Sequence, residues 1–206
     1  DPNRNQWILS QSPEIEAALI SMDPKTGKIL ALTGGYDFTK SKFNRVTQAY
    51  RQAGSSLKPF IYSAALEKGF TTASIFNDAP IVINDPEQES LWRPQNSTQE
   101  FYGPTRLRTA LVKSRNLVSI RLLQAIGIDY AHDFLLRFGF NAEQIPNTLS
   151  LALGTASVTP LQLAQGFSSF ANGGYAITPS LISKITNGNN QQLYQLQEIN
   201  TSEKLE

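Results

Sequence analysis

Two residues near the start of one predicted helix have the types and the spacing that covalent catalysis requires. Ser55 follows Gly54, and Lys58 comes three residues later, just before Pro59 and an apolar run. Proline is tolerated in a helix only within its first turn, so a helix is predicted to begin at Ser55 or Ser56. Side chains three residues apart share one face of a helix. Ser55 and Lys58 are therefore expected to point the same way.

This pair could act as a nucleophile and its base. A serine attacks a carbonyl when a base removes its proton, and a lysine can be that base when burial or a neighbouring cation lowers its pKa. The first turn of a helix adds free N–H groups and a positive dipole. The simpler interpretation is a serine cap followed by a solvated lysine, and the short pattern alone favours that interpretation.

A second polar motif follows at Ser114 and Asn116, which flank Arg115. It falls in a predicted break between two helices, where a loop can project side chains into a cleft. A serine there could relay protons, and an asparagine could hydrogen-bond a substrate amide through both ends of its carboxamide. Ser and Asn are also common helix caps, which is the simpler interpretation of this motif when it is taken alone.

Other stretches of the sequence predict the strands that accompany these motifs. Two largely apolar runs flank the turn sequence DPKTG, which predicts a β-hairpin within residues 14–33. Residues 71–97 carry three prolines and few helix signals, which predicts an irregular connection with one strand candidate, IVIND. A second hairpin is predicted within residues 179–196, around the turn sequence NGNN.

Helical periodicity dominates the remaining sequence. The helix that carries the first motif is predicted over residues 55–69, because Gly69 provides a stop signal. A helical region is predicted over residues 104–172, with Pro104 near the start of its first helix and Thr159 capping its last.

Composition excludes several classes of function. The chain has 206 residues and no cysteine, which excludes disulfides, thiol catalysis and the usual structural zinc sites. Its net charge of +1 creates no field that favours nucleic acid or an anionic membrane. No segment reaches the roughly 18 apolar residues of a membrane span, and no signal-peptide pattern occurs. Both ends are polar and indecisive, so the chain is interpreted as a piece of something longer.

Two other hydrolytic mechanisms need residues that do not occur in a fitting pattern. A Ser-His-Asp hydrolase requires a histidine base, but the only histidine, His132, falls inside a predicted amphipathic helix. We expect His132 to be a surface or edge residue. A β-lactamase needs a glutamate that activates water for deacylation, and the sequence after Glu143 does not match that pattern.

The two motifs taken together point to one family, because Ser-x-x-Lys and a Ser-Asp-Asn type motif occur together in penicillin-binding proteins and class A β-lactamases. The sequence resembles the transpeptidase domain of class A penicillin-binding proteins, particularly of the 1A type. The likeness covers nearly the whole chain. It includes the blocks AALISMDPKTGKILALTGG, FNRVTQAYRQAGSSLKPFIY, GPTRLRTALVKSRNLVSIRLL, LALGTASVTPLQLA and FANGGY.

This resemblance implies a role for each motif residue. Ser55 would be the nucleophile that is acylated by a peptide ending in D-Ala-D-Ala, or by a β-lactam that mimics it. Lys58 would be its general base, and Ser114 would pass the proton to the leaving amine. Asn116 would bind the substrate amide and help to place Lys58. The backbone N–H of Ser55, at a helix start, would form half of an oxyanion hole.

The resemblance also implies a fold, partners and a location. The fold would be an α/β sandwich with an antiparallel sheet against helices, of which this chain is the N-terminal portion with an incomplete sheet. The partners would be peptidoglycan stem peptides of the lipid II polymer and β-lactam antibiotics, without a cofactor or nucleic acid. The parent chain would be membrane-anchored, carry a glycosyltransferase domain, and act at the periplasmic face of the bacterial inner membrane.

One departure from the family pattern concerns its third motif, Lys-Thr-Gly. The only such sequence is Lys25-Thr26-Gly27, which precedes Ser55 and falls in the predicted hairpin turn. We interpret it as a turn and expect the functional motif beyond Glu206 in the parent protein. The alternative function is a binding fragment that lacks turnover, because this chain would hold only the nucleophile half of the site.

Overall fold

The computed structural model describes residues 11, 13–83 and 91–196, which form helices and short antiparallel strand pairs. The strands are β1 (Leu19–Met22), β2 (Ile29–Thr33), β3 (Arg51–Gln52), β4 (Ile75–Asp78), β5 (Gly103–Arg106), β6 (Ser157–Val158), β7 (Lys184–Thr186) and β8 (Gln192–Gln195). The helices are α1 (Arg45–Gln48), α2 (Lys58–Glu67), α3 (Leu107–Val112), α4 (Asn116–Ile126), α5 (Ile128–Leu136) and α6 (Pro160–Ala171). Short 3-10 turns lie at Gly54–Leu57, Ala142–Gln144 and Leu149–Leu153.

This combination of helices with antiparallel strands confirms the predicted α/β class. Strand pairs join β1 to β2, β3 to β6, β4 to β5 and β7 to β8. Within the part of the chain that the structure describes, no helix is both long and apolar enough to cross a membrane.

The first hairpin is formed by β1 and β2, with Leu19 paired to Thr33. Its strands are shorter than the run of apolar residues suggested, because pairing begins only at Leu19. The turn is organised by Asp23, whose carboxylate accepts the backbone N–H of Lys25 at 2.9 Å and the hydroxyl of Thr26 at 2.8 Å. These bonds, led by that of the Lys25 N–H, hold the pKa of Asp23 below its usual range.

The first motif begins with the 3-10 turn at Gly54–Leu57, which runs directly into α2. Regular α-helix starts at Lys58 rather than at the predicted Ser55 or Ser56, with Pro59 in its first turn. The helix ends before Gly69, whose φ of +95° suits a glycine after a helix.

Helix α2 lies at the centre of the hydrophobic core. The ring of Phe60 is fully buried and lies 4.9 to 5.2 Å, between centroids, from four other phenylalanine rings. Those rings come from the segment after α5 and from α6, namely Phe138, Phe140, Phe167 and Phe170. Truncation of such a buried ring typically costs about 3–5 kcal/mol. The cluster therefore fixes the helix that carries Lys58.

Four strands, β3 to β6, were not predicted from the sequence. The predicted irregular connection contains β4, and the residues taken as a helix start form β5, with Asp78 paired to Gly103. Asn77, Asp78 and Pro104 belong to residue types that are depleted in strands, so tertiary pairing overrides local preference here. In the predicted IVIND strand, Ile83 forms an antiparallel bridge with Trp92. The last two residues of that strand lie outside the described residues.

The helical region follows the predicted breaks more closely. Helices α3 and α4 are separated at residues 113–115, where the second motif begins. Thr159 caps α6 and forms a capping box with Gln162. The predicted second hairpin is present as β7 and β8.

A second chain segment holds the start of the nucleophile turn through backbone contacts. Strand β3 pairs with β6, and beyond it Ala53 N–H donates to Ala156 O at 3.0 Å and Gly54 N–H to Gly154 O at 2.9 Å. Gly154 has φ +78°, and a Cβ added to it would lie 1.8 Å from Gly54 O. Only glycine permits this close approach of the two backbones.

We predict that Gly154→Ala lowers the free energy of unfolding by about 1–3 kcal/mol more than Gly69→Ala does, because only the first substitution forces the backbones apart. Gly69 is a matched control, since its φ of +95° is also left-handed but a Cβ there meets nothing within 4 Å. Thermal and denaturant unfolding of both variants measures the difference. Equal unfolding free energies would contradict a constraint at the Gly54 contact.

Candidate active site

Ser55 is the accessible member of the serine pair at the start of the first motif. Its side chain is exposed, and among the described residues no group forms a hydrogen bond with its hydroxyl. The neighbouring Ser56 is half-buried and donates its hydroxyl proton to the carbonyl of Ala53. The Ser55 hydroxyl is therefore accessible to a substrate, whereas the Ser56 hydroxyl stabilises the turn.

Lys58 is buried beneath the second motif, with only 1% of its surface exposed. Its Nζ donates to the carbonyl oxygen of Ser114 at 2.8 Å, to Ser114 Oγ at 3.0 Å and to Asn116 Oδ1 at 2.8 Å. All three acceptors are neutral, and no carboxylate in the described residues forms an ion pair with this ammonium group. Burial lowers the pKa of Lys58 from its ordinary 10.5 to about 8.

The side chains of Ser55 and Lys58 are not hydrogen-bonded to each other in this structure. Within the described residues, the hydrogen bonds of Lys58 Nζ go to the second motif and not to Ser55 Oγ. Catalytic hydrogen bonds are often long without substrate and shorten only in the reacting complex. The arrangement is thus compatible with proton transfer between Ser55 and Lys58 once a substrate is bound.

The backbone of Ser114 turns the second motif toward Lys58. Ser114 has φ +52°, the left-handed conformation that usually belongs to glycine after a helix. It follows α3, and Ser114 N–H and Arg115 N–H donate to the carbonyls of Leu111 and Ala110 at 3.0 and 2.8 Å. A non-glycine residue in this conformation carries strain that the surroundings must offset. Here the conformation directs both the carbonyl and the hydroxyl of Ser114 to one lysine.

Asn116 uses both ends of its carboxamide. Its Oδ1 accepts from Lys58, and its Nδ2 donates to the carbonyl of Gln95 at 2.9 Å. The second Nδ2 hydrogen has no acceptor in the part of the chain that the structure describes. Its backbone N–H, at the first position of α4, donates to Asn96 Oδ1 at 2.8 Å. The structure thus brings Lys58, Ser114 and Asn116 into one cluster, with Ser55 one helical turn from Lys58.

Sequence reasoning missed three residues that support this cluster. Asn96 caps α4 from a distant segment, Asp78 lies fully buried beside Asn96, and Gly154 contacts the turn before Ser55. The first two lie in or beside a connection that looked irregular. Their only local signals were a polar Asn-Asp pair before Pro80 and an asparagine two residues after Pro94.

The other residues weighed from the sequence lie outside this cluster. Lys25 is exposed in the hairpin turn, where its backbone N–H bonds Asp23. His132 lies on α5 and contacts Asp133 at 3.4 Å. Glu143 is exposed in the 3-10 turn at Ala142–Gln144. In the described part of the chain, no hydrogen bond or ion pair joins any of them to Lys58 or Ser114.

Comparisons with known proteins identify the family of this chain. The penicillin binding protein transpeptidase domain family matches residues 17–205. Penicillin-binding protein 1A of Pseudomonas aeruginosa is 54% identical over 185 residues, which is 90% of this chain and 22% of that protein. The corresponding protein of Escherichia coli K12 is 52% identical over 181 residues, 88% of this chain and 21% of that protein.

A solved structure gives the same result for the fold. The crystal structure of penicillin-binding protein 1A from Haemophilus influenzae matches with a TM-score of 0.87 and 46% identity. It covers 93% of this chain and 28% of that one. The chain therefore spans about a fifth of the length of the curated relatives named above. These matches confirm the fold and the resemblance inferred from the motifs: the chain belongs to the penicillin-binding protein transpeptidase domain family.

Proposed function

We propose that the protein containing this chain is a peptidoglycan D,D-transpeptidase that acts through an acyl-enzyme on Ser55. The observation that carries this proposal is the buried Lys58, one helical turn from an exposed serine. It is held by Ser114 and Asn116 and has no counter-ion within the described residues. Transpeptidase-family membership and relatives named penicillin-binding protein 1A support the same reaction class.

The first half of the reaction transfers a peptide to the enzyme. Ser55 Oγ attacks the carbonyl of the penultimate D-alanine, and neutral Lys58 accepts the hydroxyl proton. The backbone N–H of Ser55 donates to the oxyanion as negative charge develops there. The C–N bond then breaks, and Ser114 Oγ, 3.0 Å from Lys58 Nζ, passes a proton to the leaving D-alanine amine.

The second half releases the peptide to another strand. An amine of a second stem peptide attacks the ester carbonyl, the C–O bond to Ser55 breaks, and a proton returns to the serine. A β-lactam would enter the first half in the same way. Its leaving amine stays tethered through the opened ring, so the acyl-enzyme persists.

The lowered pKa of Lys58 gives this scheme a usable base near neutral pH. With a pKa of about 8, roughly a tenth of the lysine is neutral at pH 7. With its ordinary value of 10.5, only about three in ten thousand would be neutral. Burial therefore increases the fraction of competent base by about two to three orders of magnitude.

We further propose the setting that the family pattern implies. The parent protein is anchored in the inner membrane, carries a glycosyltransferase domain and acts at the periplasmic face on lipid II polymer. This chain matches only 22% and 21% of the two relatives, which supports additional segments in the parent protein. The hairpin-turn position of Lys25 supports a functional Lys-Thr-Gly motif beyond residue 206, which would supply the substrate-carboxylate cation and the second oxyanion N–H.

A second candidate function is a binding piece without efficient turnover. It is favoured by the position of Lys25-Thr26-Gly27, which lies in a hairpin turn and not in the Lys58 cluster. In that turn, Lys25 N–H donates to Asp23 and Gly27 O accepts the N–H of Ser180. Acylation of Ser55 separates this possibility from catalysis by this chain alone.

In the full-length protein, Ser55→Ala is expected to abolish covalent labelling by fluorescent penicillin, because the attacking oxygen is lost. Lys58→Ala should slow labelling by ~10²–10⁴-fold, because the general base is lost. Lys113→Ala is a matched control, since Lys113 is an exposed lysine beside Ser114. Labelling kinetics and intact mass measure the effect. A Ser55→Ala protein that still gains the mass of penicillin would exclude Ser55 as the nucleophile.

Residues 1–206 alone are expected to acylate slowly and to associate. Loss of one oxyanion donor typically costs ~10²–10³-fold in rate. In the described residues, β1 and β2 form a two-stranded sheet on which Leu19 and Leu30 stay 55% and 68% exposed. The second-order acylation rate and sedimentation of this chain should be compared with those of the full-length protein. Equal acylation rates would mean that this chain completes the site itself.

A further inference from the structure

A buried carboxylate lies behind the second motif. Asp78, at the end of β4, has no solvent-exposed surface, and its Oδ1 accepts from Asn96 Nδ2 at 2.7 Å. Its Oδ2 makes no hydrogen bond with the described residues, and Arg115 Nε lies 3.8 Å away. A buried carboxylate is costly unless it is paired and hydrogen-bonded. Its position behind the motif therefore invites a functional explanation.

Asn96 connects this carboxylate to the cluster around Lys58. Its Nδ2 donates to Asp78 Oδ1 at 2.7 Å and to the carbonyl of Glu100 at 2.9 Å. Its Oδ1 accepts the backbone N–H of Asn116 at 2.8 Å. The reverse orientation of the carboxamide would face donors with donors and acceptors with acceptors. A continuous path of hydrogen bonds thus runs from Asp78 through Asn96 and Asn116 to Lys58.

Arg115 provides a second connection. It is the middle residue of the Ser-Arg-Asn motif, and its side chain is only 11% exposed. Its guanidinium carbon lies 3.4 Å from the centroid of the Tyr102 ring, and its Nε faces Asp78 Oδ2. The aromatic ring and the carboxylate together restrain both the position and the orientation of the guanidinium group. Asp78 therefore faces the motif from two sides.

We propose that Asp78 and Asn96 are positioning residues for acyl transfer at Ser55: they hold the loop at residues 114–116 in the conformation that presents its acceptors to Lys58. This inference rests on the proposed function. The left-handed backbone at Ser114 needs surroundings that fix it, and Asn96 and Arg115 supply that restraint immediately after it.

The charge of Asp78 does not act as the counter-ion of Lys58. In the described part of the chain, Lys58 Nζ contacts only the neutral oxygens of the loop. The groups that Asp78 does influence are Arg115 and Tyr62. Burial raises the pKa of Tyr62 to about 12. The hydrogen bond with Ser119 lowers this pKa, and the negative charge of Asp78 raises it further. Tyr62 therefore stays neutral. Under this proposal, Asp78 affects Lys58 by holding the loop at residues 114–116 in place.

The test uses Asp78→Asn and Asn96→Ala in the full-length protein, with Asn77→Ala as the control from the same strand. The acylation rate constant for fluorescent penicillin is measured as a function of pH, together with the final labelled fraction and a thermal melt. We expect both variants to acylate roughly 10²-fold more slowly at neutral pH, the loss typical of a small misplacement. The apparent pKa of acylation should rise from about 8 toward 10.5, because water reaches Lys58. Asn77→Ala should match the unsubstituted protein.

The readouts separate positioning from loss of fold. The final labelled fraction counts folded molecules, so the rate constant refers to those alone, and Asp78→Asn preserves the shape of the side chain. Unchanged rates in both variants, or slower rates with an unchanged apparent pKa, would overturn the positioning role. Failure of the unsubstituted protein to label at all would instead overturn the proposed function, and with it the reaction that these residues serve.

Discussion

The candidate site depends on one buried ammonium group, which among the described residues is held only by neutral oxygens. A buried lysine paired with a carboxylate keeps its proton, because the opposite charge favours the charged form. Lys58 instead donates to Ser114 and Asn116, and burial lowers its pKa to about 8. Each further feature of the site can be understood from the need to keep this lysine buried, satisfied and close to a serine.

The fold meets that need by packing α2 from several directions. The phenylalanine rings around Phe60 fix the helix from the core side. The loop at residues 114–116 covers Lys58 with acceptors, and the Gly54–Gly154 contact fixes the turn that presents Ser55. The lysine and the loop that covers it are 56 residues apart in sequence, so the site forms only when the helical region has packed.

The features that could be predicted from sequence are those with local causes. Pro59 and Thr159 mark helix starts through the geometry of a first turn. Lys25 shows that a short motif alone does not identify a site, because Lys25-Thr26-Gly27 matches the family's third motif but forms a hairpin turn here. The residue types in this segment are those that a tight turn requires, and the structure shows such a turn there.

The remaining features arise from contacts between distant segments. Strands β4 and β5 contain Asn, Asp and Pro, so their pairing is stabilised by tertiary context rather than by propensity. Asp78 and Asn96 lie 18 residues apart and meet Asn116 only in the folded chain. No local pattern distinguishes a buried aspartate of this kind from an exposed turn residue. Its importance is visible only from burial and from the direction of its hydrogen bonds.

The most direct test of the central claim is an NMR titration of the Lys58 side chain in the full-length protein. Lysine labelled with ¹³C at Cε reports the charge of each ammonium group, and a Lys58→Arg variant identifies the signal of Lys58. We predict a midpoint near pH 8, well below the ordinary 10.5. A midpoint at or above 10.5 would show that Lys58 stays protonated at neutral pH, and would contradict its assignment as the base.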